Sequence, residues 1–225
     1  MARHFDLALP AALIGEPARA CMLTRLLDGA ARTAGELARE AGVSPQTASA
    51  HLSQLLEGGL VQVAAQGRHR YYRLAGPEVA RALEALSLLT PAARAAVRVP
   101  EPLRFARTCY DHLAGRLAVD LVDAMARKGH LSEGEDAFAL TPGGEKYFTH
   151  LGVDLEALSR GRRAFARPCL DWSERRPHLA GALGAALAGC LFERKWLARA
   201  QDGRGVRLTV AGRQGFERDL GLAWA

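Results

Sequence analysis

Within residues 33–57 the chain specifies where one helix begins, where it stops and where the next one starts. Thr33 is followed three residues later by Glu36, the capping-box spacing in which hydroxyl and carboxylate satisfy orphan amides at a helix start. Leu37, Ala38 and Ala41 share the packed face of that helix, and Gly42 supplies the left-handed residue that ends it. Val43 plugs the turn. Ser44 caps the next helix, and Pro45 takes its first position, where a missing N–H costs nothing. The pattern predicts helices over 34–41 and 45–57 arranged as a helix-turn-helix.

The second helix divides by face. Ala48, Leu52, Leu55 and Leu56 fall at helical spacing for burial, leaving Gln46, Thr47, Ser49, Ala50, His51 and Gln54 outside. These are small or amide-bearing, with no acid among them. In a helix entering a major groove, such groups read base edges or hold phosphates. The plainer alternative is a solvated helix face. Residues 60–74 argue against it: Leu60–Val63 and His69–Leu74 read as two strands flanking the glycine turn Gln66–Gly67–Arg68, with Arg68, His69 and Arg70 at the tip. A basic hairpin beside a recognition helix is a wing, able to enter a minor groove or clamp phosphates. Tyr72 and Leu74 are expected to face the core. The candidate DNA contacts are therefore Ser44, Gln46, Thr47, Ser49, His51, Gln54, Arg68, His69 and Arg70.

The formal net charge of +6 and a pI near 9.5 favour a polyanion partner. With 49% apolar and 24% charged residues, disorder is excluded. The longest greasy stretch, Leu179–Phe192, is too short and too rich in Ala and Gly to span a bilayer. No basic region with an apolar core opens the chain, so a cytoplasmic protein without a membrane partner is expected. The four cysteines, Cys21, Cys109, Cys169 and Cys190, lie far apart, and in that compartment they should stay reduced.

Upstream, residues 6–28 read as a first helix with the stripe Leu9, Leu13, Ala20, Leu23, Leu26 and Leu27, kinked by Pro17 near Gly15 and stopped by Gly29. A further helix is expected over 77–89. The Pro-rich segment Thr90–Pro102 is the candidate linker, partly helical over Ala92–Val97 in the alternative reading. The domains are thus 1–95, for DNA binding and dimerisation, and 103–225, for sensing or dimer support. The second half repeats itself: RTCYD (107–111) and RPCLD (167–171) both read Arg-x-Cys-x-Asp, HLAG recurs at an offset of 66, and LTPGGEKYF (140–148) answers LTVAGRQGF (208–216). The unit reads as helix, short hairpin, Thr-capped helix, present twice, like winged-helix pieces without a reading helix. The fold class is mainly α with small β-hairpins (α+β): an N-terminal winged helix-turn-helix plus a C-terminal domain of two helix–hairpin–helix repeats.

The stretch TAGELAREAGVSPQTASAHLSQLLEGGLVQVAAQGRHRYYRLA (33–75) resembles the ArsR-type (ArsR/SmtB) bacterial winged-helix repressors, and GEPARACMLTRLLDG (15–29) fits their first helix. The resemblance covers roughly residues 10–90. It implies a homodimer formed through the first and last helices of that domain, binding a palindromic operator and releasing it when an effector binds. Metal-sensing members place cysteines in the helix before the turn. Here that helix, TAGELAREA, has none, so sensing is expected to have moved to the extension.

There, Cys109, Asp111 and His112 stand together, as do Cys169, Asp171 and His178. Such groups suit zinc or a similar divalent ion, and if the repeats face each other the boxes could make one shared site. Alternatively, Arg107 or Arg167 lowers a neighbouring thiol pKa for redox sensing, or the boxes are a structural ion pair and core thiols, with Gly115 and Gly181 allowing close helix contact. All three readings stay open on the residues. The effector is unknown, and no cofactor beyond the possible metal is expected. An architectural DNA binder without an effector is a further alternative. Cys21 and Cys190, and Trp172, Trp196 and Trp224, are expected to pack. Cys109 and His112, three apart at an expected helix start, come with no oxyanion donor or orienting group, so an enzyme is not expected.

Overall fold

Pro17 and Gly15 break the first helical stretch in two. The computed structural model, which describes residues 6–67, 69–89, 100–134, 137–201 and 203–224, has α1 over Ala8–Ile14 and α2 over Pro17–Arg25, followed by a 3-10 turn at Leu26–Asp28. Glu16 restarts the helix by accepting a 2.8 Å hydrogen bond from the Arg19 amide. The break splits the expected stripe: Leu23, Leu26 and Leu27 are buried, whereas Leu9 on the detached α1 is 61% exposed. The chain divides into Met1–Arg98 and Val99–Ala225.

In the N-terminal unit β1 (Arg32–Thr33) leads into α3 (Ala34–Ala41) and α4 (Pro45–Glu57). Both halves of the capping box form: the Thr33 amide donates to Glu36 at 2.7 Å, and the Glu36 amide to the Thr33 hydroxyl at 3.3 Å. Gly42, at φ +66°, ends α3 in the left-handed region. Hydrogen bonds from Thr33 hold the Glu36 carboxyl below the usual carboxylate range. A depressed folded-state pKa means stability that is present above the unfolded value of about 4.3 and lost as pH falls through the folded one. Glu36→Gln is therefore expected to flatten the acid limb of a stability–pH curve followed by circular dichroism, with its cost at neutral pH absent in acid.

β2 (Val61–Gln66) and β3 (His69–Leu74) form an antiparallel hairpin, in register from Val61↔Leu74 to Gln66↔His69, and β1 adds to the far side of β3. α5 spans Pro77–Leu88. Met22, Leu23, Leu26, Leu37, Leu52 and Leu55 are fully buried and close the core with Val61 and Tyr72, as the amphipathic pattern requires. Leu74 packs against this core, as expected.

The linker candidate and its helical alternative at Ala92–Val97 lie outside the described residues up to residue 99. The expected linker also ran too far, because α6 (Glu101–Phe105) already includes Pro102, which its first turn tolerates.

The C-terminal unit then runs β4 (Arg107–Cys109), β5 (His112–Ala114), α7 (Arg116–Arg127), β6 (Leu131–Glu133), β7 (Phe138–Leu140), α8 (Pro142–Leu151) and α9 (Leu155–Ser159). It continues with β8 (Arg167–Leu170), β9 (Pro177–Ala180), α10 (Gly181–Glu193), β10 (Leu197–Arg199), β11 (Val206–Leu208) and α11 (Val210–Leu220). Each consecutive strand pair is a separate two-stranded antiparallel ladder. Thr141 and Thr209 cap α8 and α11, accepting from the amides of Gly144 and Gly212 at 3.0 Å. The cysteine boxes therefore sit on hairpins, not at helix starts. HLAG also differs in part from expectation. Gly115 and Gly181 have φ of +89° and +83°, and a Cβ on either would lie 2.6 Å from a backbone carbonyl, of Arg104 or of Ala164. They are glycines because a strand turns left-handed into a helix against another backbone; at Gly115 that backbone is the end of α6, so two helices do meet there, whereas at Gly181 it is the loop at Ala164 and Phe165.

The two stretches pack crosswise. α7 lies on β9, α10 lies on β5, and β5 approaches β9. Leu117, Leu121, Met125, Phe148, Leu183, Leu191 and Phe216 fill the shared core. As expected, Trp196 packs there, edge-on to Phe216 with ring centres 5.0 Å apart, and Trp224 stands edge-on to the same ring at 5.6 Å. Cys190 packs at the margin of this core half-buried, and Cys21 of α2 is half-buried too, its thiol donating to the Glu40 carbonyl. No helix among the described residues is long and apolar enough to cross a membrane.

Candidate nucleic-acid interface and a cysteine–histidine cluster

Ser44, Gln46, Thr47 and Ser49 are all exposed at the N-terminal end of α4. Ser44 caps the helix, accepting from the Thr47 amide at 3.1 Å, and its hydroxyl meets that of Thr47 at 2.9 Å. Ser49 donates to the Pro45 carbonyl at 2.9 Å. His51 and Gln54 were expected on the same open face and are placed differently. They lie further along α4, on the flank turned to α2, where Arg19 gathers them: its guanidinium donates to Gln54 at 2.6 Å and lies 3.4 Å from His51 Nδ1. His51 Nε2 stands 3.6 Å from Glu16, and the ring is half-buried. Arg19 also donates to the carbonyls of Leu13 and Ala12, so one side chain ties α1, α2 and α4 together. Nothing in the sequence singled it out, since it is one arginine among many.

On the wing, His69 and Arg70 are exposed; Arg68 lies outside the described residues. The Arg70 guanidinium stands 6.0 Å from the Tyr72 ring centre. Arg73, exposed on the same strand, extends the basic edge and was missed. The period of two along β3, which sets His69, Tyr71 and Arg73 on one face, was the signal for it.

In the C-terminal unit, register brings the boxes together. Cys109 pairs with His112 across the β4–β5 hairpin, and Cys169 pairs with His178 across β8–β9. Directly opposed residues hold their side chains side by side, so each hairpin presents one thiol and one imidazole. With β5 against β9, the four ligand atoms all lie within 4.8 Å of one another. His112 and His178 are 4% and 1% exposed; Cys109 is buried and Cys169 half-buried, and the four cysteines form no disulfide.

The two aspartates, grouped in sequence with the ligand candidates, do other work. Asp111 ion-pairs with Arg163, at 3.0 Å to its Nη2, and stands 3.2 Å from His112 Nδ1. That pairing holds its pKa below the usual range despite some burial. Asp171 is fully buried. It takes both its oxygens to the Arg107 guanidinium at 2.9 Å, accepts from the Gly115 amide at 2.6 Å, and gathers Ser173 and the Glu174 amide. Burial opposes its charge, yet His178, Arg107 and these donors outweigh burial and keep it ionised. Its Oδ2 stands 3.4 Å from His178 Nδ1. Burial likewise disfavours the His178 imidazolium, but Asp171 and the neighbouring Cys109 prevail and raise its pKa. The structural ion pair considered within each box thus runs between the boxes. Arg107 is committed to Asp171 and lies 4.9 Å over the Trp172 ring, while Arg167 is exposed, so the repeated arginines have unlike surroundings.

A helix-turn-helix domain family model matches residues 14–64. The chain is 42% identical over 221 residues to an HTH-type transcriptional regulator of Bacillus subtilis (strain 168), YdfF, covering 96% of this chain and 98% of that one. The match therefore includes the C-terminal unit. Among solved structures it is 34% identical to the cadmium metal-sensor CmtR of Mycobacterium tuberculosis, covering 42% of this chain and 94% of that one, with a TM-score of 0.33. It is also 31% identical to the homodimeric winged helix-turn-helix domain of Mb0332 from Mycobacterium bovis, described as a possible ArsR-family regulator, covering 40% of this chain and 89% of that one, with a TM-score of 0.35. With its capped helix-turn-helix, its wing and a relative matching it end to end, the chain belongs to the HTH-type transcriptional regulators, its N-terminal unit similar to the ArsR-type (ArsR/SmtB) winged-helix proteins and followed by a C-terminal extension.

Proposed function

We propose that this regulator is a cytoplasmic homodimeric repressor that binds a palindromic operator through α4 and the wing and releases it when an effector engages the C-terminal unit. The observation that carries the DNA-reading part is the exposed start of α4. It presents Gln46, Thr47 and Ser49 to solvent with no acidic residue from Ser44 to Leu56, and the wing of the same unit exposes His69, Arg70 and Arg73. The dimer reading is supported by apolar side chains left open at the first and last helices of the unit: Leu7 is 70% exposed, Leu9 61%, Leu86 47% and Leu89 80%. Residues 1–95 would then read DNA and pair the protomers. Residues 103–225 would sense or support the dimer, as two copies of a hairpin, helix, hairpin and Thr-capped helix.

Titration of operator and random DNA at several salt concentrations tests the interface. Arg70→Ala should weaken both about equally and reduce the salt slope by about one, because a phosphate contact releases counterions and carries no sequence information. Gln46→Ala should cost about 1–3 kcal/mol on the operator and relax preference at one base pair. Equal losses on operator and random DNA for Gln46→Ala would remove it as a base reader.

A further inference from the structure

We propose that Cys109, His112, Cys169 and His178 form a four-ligand, tetrahedral site for one zinc-type divalent cation, which would pin the β4–β5 and β8–β9 hairpins to each other. The site stands independently of how DNA is read, and of whether the cation acts as the effector.

Four arguments converge on it. The donor set, two thiols and two imidazoles, is a closed set for structural zinc. The spacing fits: ligand atoms bound to one such ion are about 3.3–3.8 Å apart, and these lie within 4.8 Å of one another, so small side-chain rotations complete the shell. Each imidazole is already aimed by a carboxylate, Asp111 on His112 Nδ1 at 3.2 Å and Asp171 on His178 Nδ1 at 3.4 Å. That arrangement turns Nε2 of each ring away from the carboxylate as the available ligand, and both Nε2 atoms, with His178 Nδ1 at its longer distance from Asp171, are buried without a hydrogen-bond partner of good geometry. A buried polar atom left so is costly, and a pair of them facing two thiols asks for an ion.

Charge closes the argument. Arg107 is neutralised by Asp171 and Arg163 by Asp111, so neither of these arginines competes with a cation at the site. Two thiolates balance a dication, and the loaded site is neutral in a buried setting where a net charge would be penalised. Four protein ligands leave no open coordination position, which suits a clamp rather than a catalyst.

Reduced full-length protein, stripped with a chelator, is titrated with Co2+ and then with Zn2+. One equivalent of cobalt should bind with the visible bands of a tetrahedral ion and a thiolate-to-cobalt charge-transfer band, zinc should displace it, and the melting temperature should rise by about 10 °C. Cys169→Ser should abolish stoichiometric uptake, and Asp111→Asn should weaken it about 10–100-fold. Cys21→Ser and Cys190→Ser should change nothing. Wild-type protein that takes up no cobalt after reduction, an octahedral spectrum without charge transfer, or uptake lost on Cys21→Ser or Cys190→Ser would each overturn the site. If Cys169→Ser fails to fold, the wild-type spectrum and the Asp111→Asn affinity decide it.

Discussion

Asp171→Ala is expected to destabilise the C-terminal unit by about 3–5 kcal/mol, a large share of what holds an ordinary domain together. The change deletes the only carboxylate facing Arg107 among the described residues, and that guanidinium is 1% exposed. Arg107 keeps hydrogen bonds to the Leu103 carbonyl and the Ser173 hydroxyl, but its charge is left in a place water does not reach. The Gly115 amide and the donors of the 171–176 turn lose their acceptor as well. Denaturant unfolding followed by tryptophan fluorescence reads the effect directly, because Trp172, Trp196 and Trp224 all lie in this unit. Replacing both partners together, as Arg107→Met with Asp171→Leu, should recover most of the loss, since a buried pair exchanged for apolar side chains of similar size is close to neutral. A loss under about 1 kcal/mol for Asp171→Ala would mean that water replaces the carboxylate and the pair is not desolvated.

Leu52→Ala should cost the N-terminal unit about 2–5 kcal/mol, through lost transfer energy and the cavity left behind. Leu52 is fully buried, and it sits on the inner face of α4 one turn beyond Ala48, within the cluster of Met22, Leu23, Leu26, Leu37 and Leu55. Those neighbours come from α2, the 3-10 turn after it, α3 and α4 itself, and cannot all move into one void. The tryptophans are blind to this unit, so the loss is to be read from the helical circular-dichroism signal during denaturation. The effect should reach function without touching a DNA-facing atom. Because the helix that packs here is the one proposed to read DNA, operator affinity should fall most at temperatures where the variant begins to unfold. Leu52→Met, which keeps volume, should cost under about 1.5 kcal/mol and bind normally.

Legibility tracked the length of the elements. The 13-residue α4 shows several turns of apolar spacing and carries Ser44 and Pro45 at its start, so its limits and its inner face could be read residue by residue. Strands of three or four residues have no room to show alternation, and so Cys109 and His112 read as lying at a helix start when both boxes lie on hairpins. The chemistry of the boxes was visible as residue types. Their geometry was not, because the meeting of Cys109 with His178 depends on the packing of β5 against β9, contacts between residues more than sixty positions apart. Asp111 and Asp171 were grouped with the ligand candidates for the same reason. Sequence proximity to a cysteine says nothing about whether a carboxylate faces an arginine, and Arg107 and Arg163 turned out to be the partners. His51 differs in the opposite way: helical spacing left it outside, but its ring is half-buried between Arg19 and Glu16, while Gln54 stays exposed although Arg19 donates to it.

The crosswise packing of α7 on β9 and α10 on β5 has a consequence for how this unit can be divided. Arg160, Gly161, Arg162 and Arg163 form an exposed, arginine-rich passage between the two stretches, an inviting target for a trypsin-like protease. A nick there separates the chain but not the fold, because each fragment keeps the helix that the other fragment's hairpin needs. One core cluster draws on both sides of the passage, so the two fragments are expected to stay together after cleavage and to complement each other when mixed.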